Sequence, residues 1–206
     1  MGRTREQSAR RRELVLAAGR AVGARGVRGL RIKDVATEAH VSAGLVSYYY
    51  PDLAELLVAL HEYSVDRFYW SRMQLIDGVV SGRDRLLVLA RSGIPDRDDE
   101  QLSLTLYELH LHAARDRTHA ALMTSLFDRE VSLYAMVLAQ GGSSGDFRLR
   151  GSALDIATNA VALEDAYGLH LVARNTTVDA ARARQLLLGF LSEATGTDLT
   201  GTGRHG

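Results

Sequence analysis

A chain of 206 residues, 46% of them hydrophobic, can bury the core of one large domain or of two modest ones. It contains no cysteine and no apolar run of about eighteen residues, which excludes a disulfide framework, thiolate metal sites and a membrane-spanning helix and fits a cytoplasmic protein. The formal net charge of zero conceals a split: residues 1–50 hold ten Arg/Lys against four Asp/Glu, and residues 51–206 hold fifteen against twenty-one, so a small basic module precedes a larger acidic one.

Pro51 and Pro95 are the two prolines, and Ala, Leu and Arg are abundant, so long uninterrupted helices are expected. The first helical run covers Arg12–Val22, with Leu14, Ala17, Ala18, Ala21 and Val22 on one face. Gly26 and Gly29 break it, and a short helix follows over Ile32–Ala39 with Ile32, Val35, Ala36 and Ala39 turned inward. Ser42 is placed to cap a third helix over Ala43–Tyr49. After Pro51-Asp52, Leu53 to Met73 reads as a long helix, and Arg83–Ser92 as another, stopped by Gly93-Ile94-Pro95. A charged connector at 96–99 leads to helical patterns over Gln101–Ala114 and Thr118–Gln140, and the glycine- and serine-rich stretch Gly141–Asp146 reads as a loop. Two strongly apolar helices, Ser152–Val172 and Val178–Ala194, precede a polar, glycine-rich end. The fold expected is all-α with about nine helices. Residues 1–51 form a three-helix bundle with a helix-turn-helix, 52–196 a regulatory and dimerisation domain, and 197–206 a flexible tail.

Residues 32–49 have the layout of a helix-turn-helix, two short helices joined by Glu38-Ala39-His40-Val41-Ser42, with Val41 plugging the angle between them. The second helix then exposes Ser42, Ala43, Gly44, Ser47 and Tyr48. Gly44 lets the backbone approach DNA, the serine hydroxyls reach phosphate or base edges, and Tyr48 or Tyr49 donates to phosphate. Arg28, Arg31 and Lys33 lie where the preceding helix begins and can meet phosphate. The terminal Arg3, Arg5, Arg10, Arg11 and Arg12 can follow the backbone or enter a minor groove, or stand as a solvated terminus. Tyr50 is expected to be buried.

These residues carry a family resemblance. The stretches Arg12-Glu13-Leu14-Val15-Leu16-Ala17-Ala18, Ala24-Arg25-Gly26, Ile32 through Pro51, and Leu56-Leu57 together resemble the N-terminal domain of TetR-family regulators over about fifty residues without a gap. The resemblance implies three DNA-domain helices, a fourth leading into the regulatory domain, and a dimer on a palindromic operator. It also implies a phosphate near Lys33, Gly44 at the groove-facing start of the recognition helix, and a phosphate contact for Tyr48. Four departures stand out: His40 replaces the usual turn glycine and can add a phosphate contact or strain, the usual capping Ser/Thr of the second helix is missing at Leu30-Arg31, Leu53 replaces a common lysine, and Ser47 stands where Tyr is frequent. The run Gly44–Tyr50 resembles the BetI-like branch of the family.

In the body, Ser152–Val172 and Val178–Ala194 are apolar on more than one face and so need covering on more than one side. Self-association as a four-helix bundle meets that need and places Ala153, Ala157, Ala160, Leu163, Tyr167, Leu186, Leu187 and Phe190 at a dimer interface; a buried hairpin in a monomer is the alternative. Ala162–Leu169, the helix over Ala181–Ala194 and the loop Gly145–Arg148 are similar to the dimer-forming part of BetI-like members. A small-molecule cavity within 53–172 is expected to draw its wall from Trp70, Met73, Leu89, Leu106, Tyr107, His110, Phe127, Tyr134, Leu163 and Tyr167, although aromatic residues at this spacing are more often plain core.

No cofactor and no metal is expected. His110 and His112 are two apart on different faces of a helix, and His112 and His119, seven apart, read as too distant for a compact pair. No nucleophile elbow, phosphate-cradling loop or zinc-peptidase motif is present, which argues against an enzyme. The reading with most support is a homodimeric, ligand-responsive repressor on double-stranded operator DNA, the helix from Leu53 to Met73 transmitting an unidentified effector's signal. An effector-independent or activating DNA-binding regulator is the second reading, and a helical enzyme the third.

Overall fold

In the computed structural model the described residues are 2–95 and 100–201, and among them the chain forms nine helices and no strand. These are α1 Gly2–Arg25, α2 Ile32–Glu38, α3 Ala43–Tyr49, α4 Leu53–Ile76 and α5 Gly82–Gly93. Then follow α6 Glu100–Ala113, α7 Arg117–Ser144, α8 Ala153–Val172 and α9 Ala180–Thr195. The connector expected at 96–99, residues 202–206 and the side chain of Arg3 lie outside the described residues.

The helices belong to two compact units, Met1–Arg67 with Gln101–Thr124, and Phe68–Glu100 with Ser125–Gly206. In the first, the predicted face of α1 (Leu14, Ala17, Ala18, Ala21, Val22) is sealed against Val35, Ala36 and Val46 of the short helices. Each fully buried Leu or Val contributes about 1.5–3 kcal/mol. Leu56, Leu57 and Leu60 of α4 and Leu109 of α6 complete the same core. Two polar contacts fasten α6 there: the Val27 amide donates to Glu108 Oε2 at 3.0 Å, and Gln101 Nε2 donates to the Gly19 carbonyl at 2.8 Å. Packing therefore divides the chain within α4 and returns residues 101–124 to the first unit, so the compact units do not coincide with the ranges 1–51 and 52–196.

The second unit is built around Leu86, Leu89, Ile94, Val137, Leu138, Ile156, Val161, Leu187 and Leu191. Its α5 packs on both α8 and α9, which pack on each other. Side-chain caps start the helices where the sequence offers them: Ser81 for α5, Ser152 for α8 and Asp179 for α9.

Two expectations are corrected in this unit. The stretch Gly141–Asp146 is not a loop throughout, because α7 continues to Ser144. The Phe147 ring lies where a side chain at 141 would be, and the Cα of Gly141 is 3.2 Å from a Cβ built at Gly82, so the glycines serve close packing there and not chain reversal. The tail is also not free as far as Gly201. Leu199 is 1% exposed within the core, its amide donates to Ser192 Oγ at 3.0 Å, and Thr197 Oγ1 donates to the Asp146 carbonyl at 2.9 Å.

Candidate functional site

The turn between α2 and α3 is closed by the Val41 amide, which donates to the Ala36 carbonyl at 3.0 Å, with Val41 half-buried in the corner. His40 takes a left-handed backbone with φ 54°, which most side chains resist and which the turn geometry imposes. Ser42 Oγ accepts from the Leu45 amide at 3.2 Å and starts α3. At the start of α2 Arg31 provides no side-chain cap, yet Asp34 reaches back to the Arg31 amide at 2.9 Å and supplies that half of a capping box.

Val46 and Tyr50 are buried, and this anchoring fixes which face of α3 points outward. Ser42, Ala43, Gly44, Ser47 and Tyr48 are all exposed, Tyr48 to 72%, and Tyr49 is half-buried with its ring edge-on to that of Tyr48. Arg28, Arg31, Lys33 and His40 are exposed in the same unit. The result is a short helix with one sealed face and one face of small and hydroxyl-bearing residues, with cations on the preceding segment.

The basic terminus behaves differently from an extended arm, because α1 begins at Gly2. Arg10 pairs with Glu13 at 2.6 Å. Arg11 donates to the Tyr49 carbonyl at 2.9 Å, pairs with Glu55 at 3.1 Å and lies 4.4 Å over the Tyr50 ring. The guanidinium of Arg11 thus fastens α1 to the end of α3. Arg12 sits 5.9 Å from the centre of the Tyr63 ring.

The expected ligand-cavity residues are divided between the two units. Leu106, Tyr107 and His110 belong to the first, where the Tyr107 and His110 rings meet edge-on. In the second, Leu89 and Tyr134 are core, Met73, Phe127, Leu163 and Tyr167 are half-buried against it, and Trp70 is 54% exposed and does not line an interior. A groove of about 720 Å³ in the same unit is lined by Leu75, Val88, Arg91, Ile94, Arg184 and Leu188 among others, and by none of those ten.

A buried ionic cluster in the second unit escapes sequence reading. Arg72 of α4 is sealed, donates from Nη1 and Nη2 to both Glu164 oxygens at 2.9 Å, from Nη2 to the Leu89 carbonyl at 3.1 Å, and pairs with Glu130. The Tyr134 hydroxyl donates to Glu164. One guanidinium cannot neutralise two sealed carboxyls. Glu164, with two guanidinium bonds and a phenol, is the better charge holder, while burial pushes Glu130 up to about 8 despite Arg72. Burial and then the Glu164 charge raise neighbouring Asp165 to about 6. Gly93 makes this possible, since a Cβ there would overlap the Glu164 carboxylate. No signal at helical spacing links residues 72, 130 and 164.

Of the expected dimer residues, Ala157, Ala160 and Leu187 are sealed in the unit's own core and so cannot also face a second copy. Ala153, Leu163, Tyr167, Leu186 and Phe190 are half-buried. The apolar excess of α8 emerges instead at exposed Leu154, Ala162, Ala166 and Leu169.

No family model and no curated protein sequence matches the chain. Solved structures do. A protein from Rhodococcus sp. assigned to the TetR family of transcriptional regulators is 28% identical with a TM-score of 0.79, over 90% of this chain and 98% of that one. A transcriptional regulator from Saccharomonospora viridis, solved in complex with choline, is 23% identical with a TM-score of 0.81, over 91% and 98%. A TetR transcription regulator from Haloarcula marismortui is 22% identical with a TM-score of 0.82, over 91% and 99%. The chain has the fold of TetR-family transcriptional regulators. Among the described residues no helix is long and apolar enough to cross a membrane.

Proposed function

We propose that this protein is a TetR-family regulator of the BetI-like kind, a homodimer that represses transcription from a palindromic operator and releases it on binding a small-molecule effector. The observation that carries the reading is the outward face of α3. Ser42, Gly44, Ser47 and Tyr48 face solvent on a helix whose other side is locked by Val46, Tyr50 and Arg11. Such a face serves no purpose in packing and suits a major groove, where small residues admit the backbone and hydroxyls reach phosphate and base edges. The exposed Arg28, Arg31 and Lys33 supply the salt-dependent, sequence-independent part of affinity.

A two-fold dimer would set its recognition helices one turn of B-DNA apart, roughly 35 Å, and read an inverted repeat. The effector would enter the body beside Met73, Phe127, Leu163 and Tyr167, the half-buried members of the expected set. It acts as an inducer only through unequal affinity for the operator-competent and released states. The Saccharomonospora relative carries a small molecule, choline, which supports a ligand-responsive role.

The test begins with operator selection from random duplexes, followed by titration of the selected site. Tyr48→Ala should lower affinity by about 1–3 kcal/mol and leave thermal stability unchanged, because the side chain is outside the core. Wild-type affinity in that variant, or recovery of no preferred duplex, would overturn the reading.

A further inference from the structure

We propose that the corner between α6 and α7 is a binding site for a divalent first-row transition metal, held by His112, Asp116 and His119. His112 lies in the last turn of α6, Asp116 in the connecting turn and His119 in the first turn of α7. Their ligand atoms all fall within 4.8 Å of one another. The seven-residue spacing that reads as too wide along one helix is closed because the chain reverses between them, and the two imidazoles meet edge-on with ring centres 4.9 Å apart.

The corner is organised in advance. The Arg115 and Asp116 amides close the turn on the His112 and Ala113 carbonyls. Asp116 Oδ1 accepts from the Thr118 and His119 amides at 2.8 and 3.2 Å, which fixes the carboxylate. His119 meets His61 of α4 through the two Nδ1 atoms at 2.9 Å, so its Nε2 is the nitrogen left to ligate. A ring held through its second nitrogen is the usual support for a metal-ligating histidine. His119 is sealed while His112 and Asp116 are half-buried, which gives an ion both an anchored ligand and a way in.

The residue that holds His119 belongs to a polar group of its own. His61, fully buried, stacks on the His119 ring at 5.1 Å and stands 5.8 Å from the His110 ring, and both His61 and His110 carry an Nε2 with no hydrogen-bond partner. Burying polar nitrogens without partners is unfavourable. A core that needed only packing would place apolar side chains there. Two imidazole nitrogens and one carboxylate oxygen, with a position open to water, fit Zn²⁺ or Co²⁺ in tetrahedral coordination and suit Ca²⁺ or Mg²⁺ poorly.

All of these residues lie in the compact unit that carries α1–α3. An ion at the corner fixes the end of α6, whose Leu109 and Glu108 pack on the N-terminal helices, and so ties metal supply to the unit with the recognition helix.

The test uses the full, tag-free chain, stripped with chelator and titrated with Co²⁺, and it needs no DNA, so it stands apart from the proposed operator binding. One Co²⁺ per chain should bind with the intense visible bands of tetrahedral coordination, and Zn²⁺ should displace it. His112→Ala and Asp116→Asn should each weaken Co²⁺ binding about tenfold or more, with unchanged far-ultraviolet circular dichroism of the metal-free protein. Asn retains the oxygen that caps α7, so that variant separates loss of a ligand from loss of fold. No visible spectrum, or undiminished affinity in both folded variants, overturns the site.

Discussion

At the scale of single residues, two side chains are held where elementary chemistry disfavours them. His40 sits at φ 54° on the surface of the helix-turn-helix corner. A left-handed residue with a Cβ costs about 1–2 kcal/mol, and glycine in its place gives back part of that through its freer unfolded chain. His40→Gly should therefore raise stability by about 0.5–1 kcal/mol, read from the urea midpoint at constant slope. A loss of stability would mean that His40 makes contacts that its exposure does not suggest. Glu130 faces Arg72, Glu164, Asp165 and Tyr134, and burial keeps its proton on up to about pH 8 in the folded state, against 4.5 for an ordinary glutamate. Between those values the native state binds a proton that the unfolded chain has released. Its contribution to stability is complete below pH 4.5 and is lost as pH rises through about 8. Glu130→Gln mimics the protonated carboxyl. From about pH 6, above the Asp165 titration, to about 8, wild type should lose stability relative to the variant. The slope should approach about 1.4 kcal/mol per pH unit. Parallel pH profiles in chemical denaturation would show that Glu130 is ionised throughout.

At the scale of elements, sequence periodicity located the helices and failed where tertiary contact overrode composition. The apolar positions of α1 and α2 and the Ser42 cap were legible because each signal lies within one or two turns. The outward set of α3 followed from them. The Arg72–Glu130–Glu164 cluster, the His61–His119 contact and the docking of Glu108 on Val27 were not legible, since they join residues 58 to 92 positions apart. The same limit explains the misread end of α7, where glycines that locally favour a turn are held in a helix by Phe147. Gly141→Ala forces a methyl into that ring and should destabilise by about 1–3 kcal/mol, the usual penalty of overpacking. If the stretch were a loose loop instead, the change would be neutral or slightly stabilising, and thermal unfolding of the variant distinguishes the two.

At the scale of the molecule, the open question is what covers α8 and α9. Their inner faces supply Ile156, Ala157, Ala160, Leu187 and Leu191 to one core, which accounts for only part of their apolar surface. Leu154 and Leu169 stand 59% and 46% exposed on α8, and Leu186 and Phe190 are half-buried on α9. Gly189 beside them has open space where a side chain would be, which admits a partner helix closely. A second copy related by a two-fold axis would meet both helices at once and convert this face into the middle of a four-helix bundle, as proposed above. On that reading Leu169→Glu with Phe190→Glu places four carboxylates at the bundle's centre, counting both copies, and should yield a folded monomer by sedimentation velocity. Neither side chain belongs to the sealed core, so the far-ultraviolet spectrum should be unchanged. Operator binding should fail in that monomer although α3 is untouched, because one half-site forfeits the gain of linked binding. A double variant that remains dimeric would place the interface on another face. A monomeric variant with wild-type operator affinity would separate dimerisation from DNA recognition altogether.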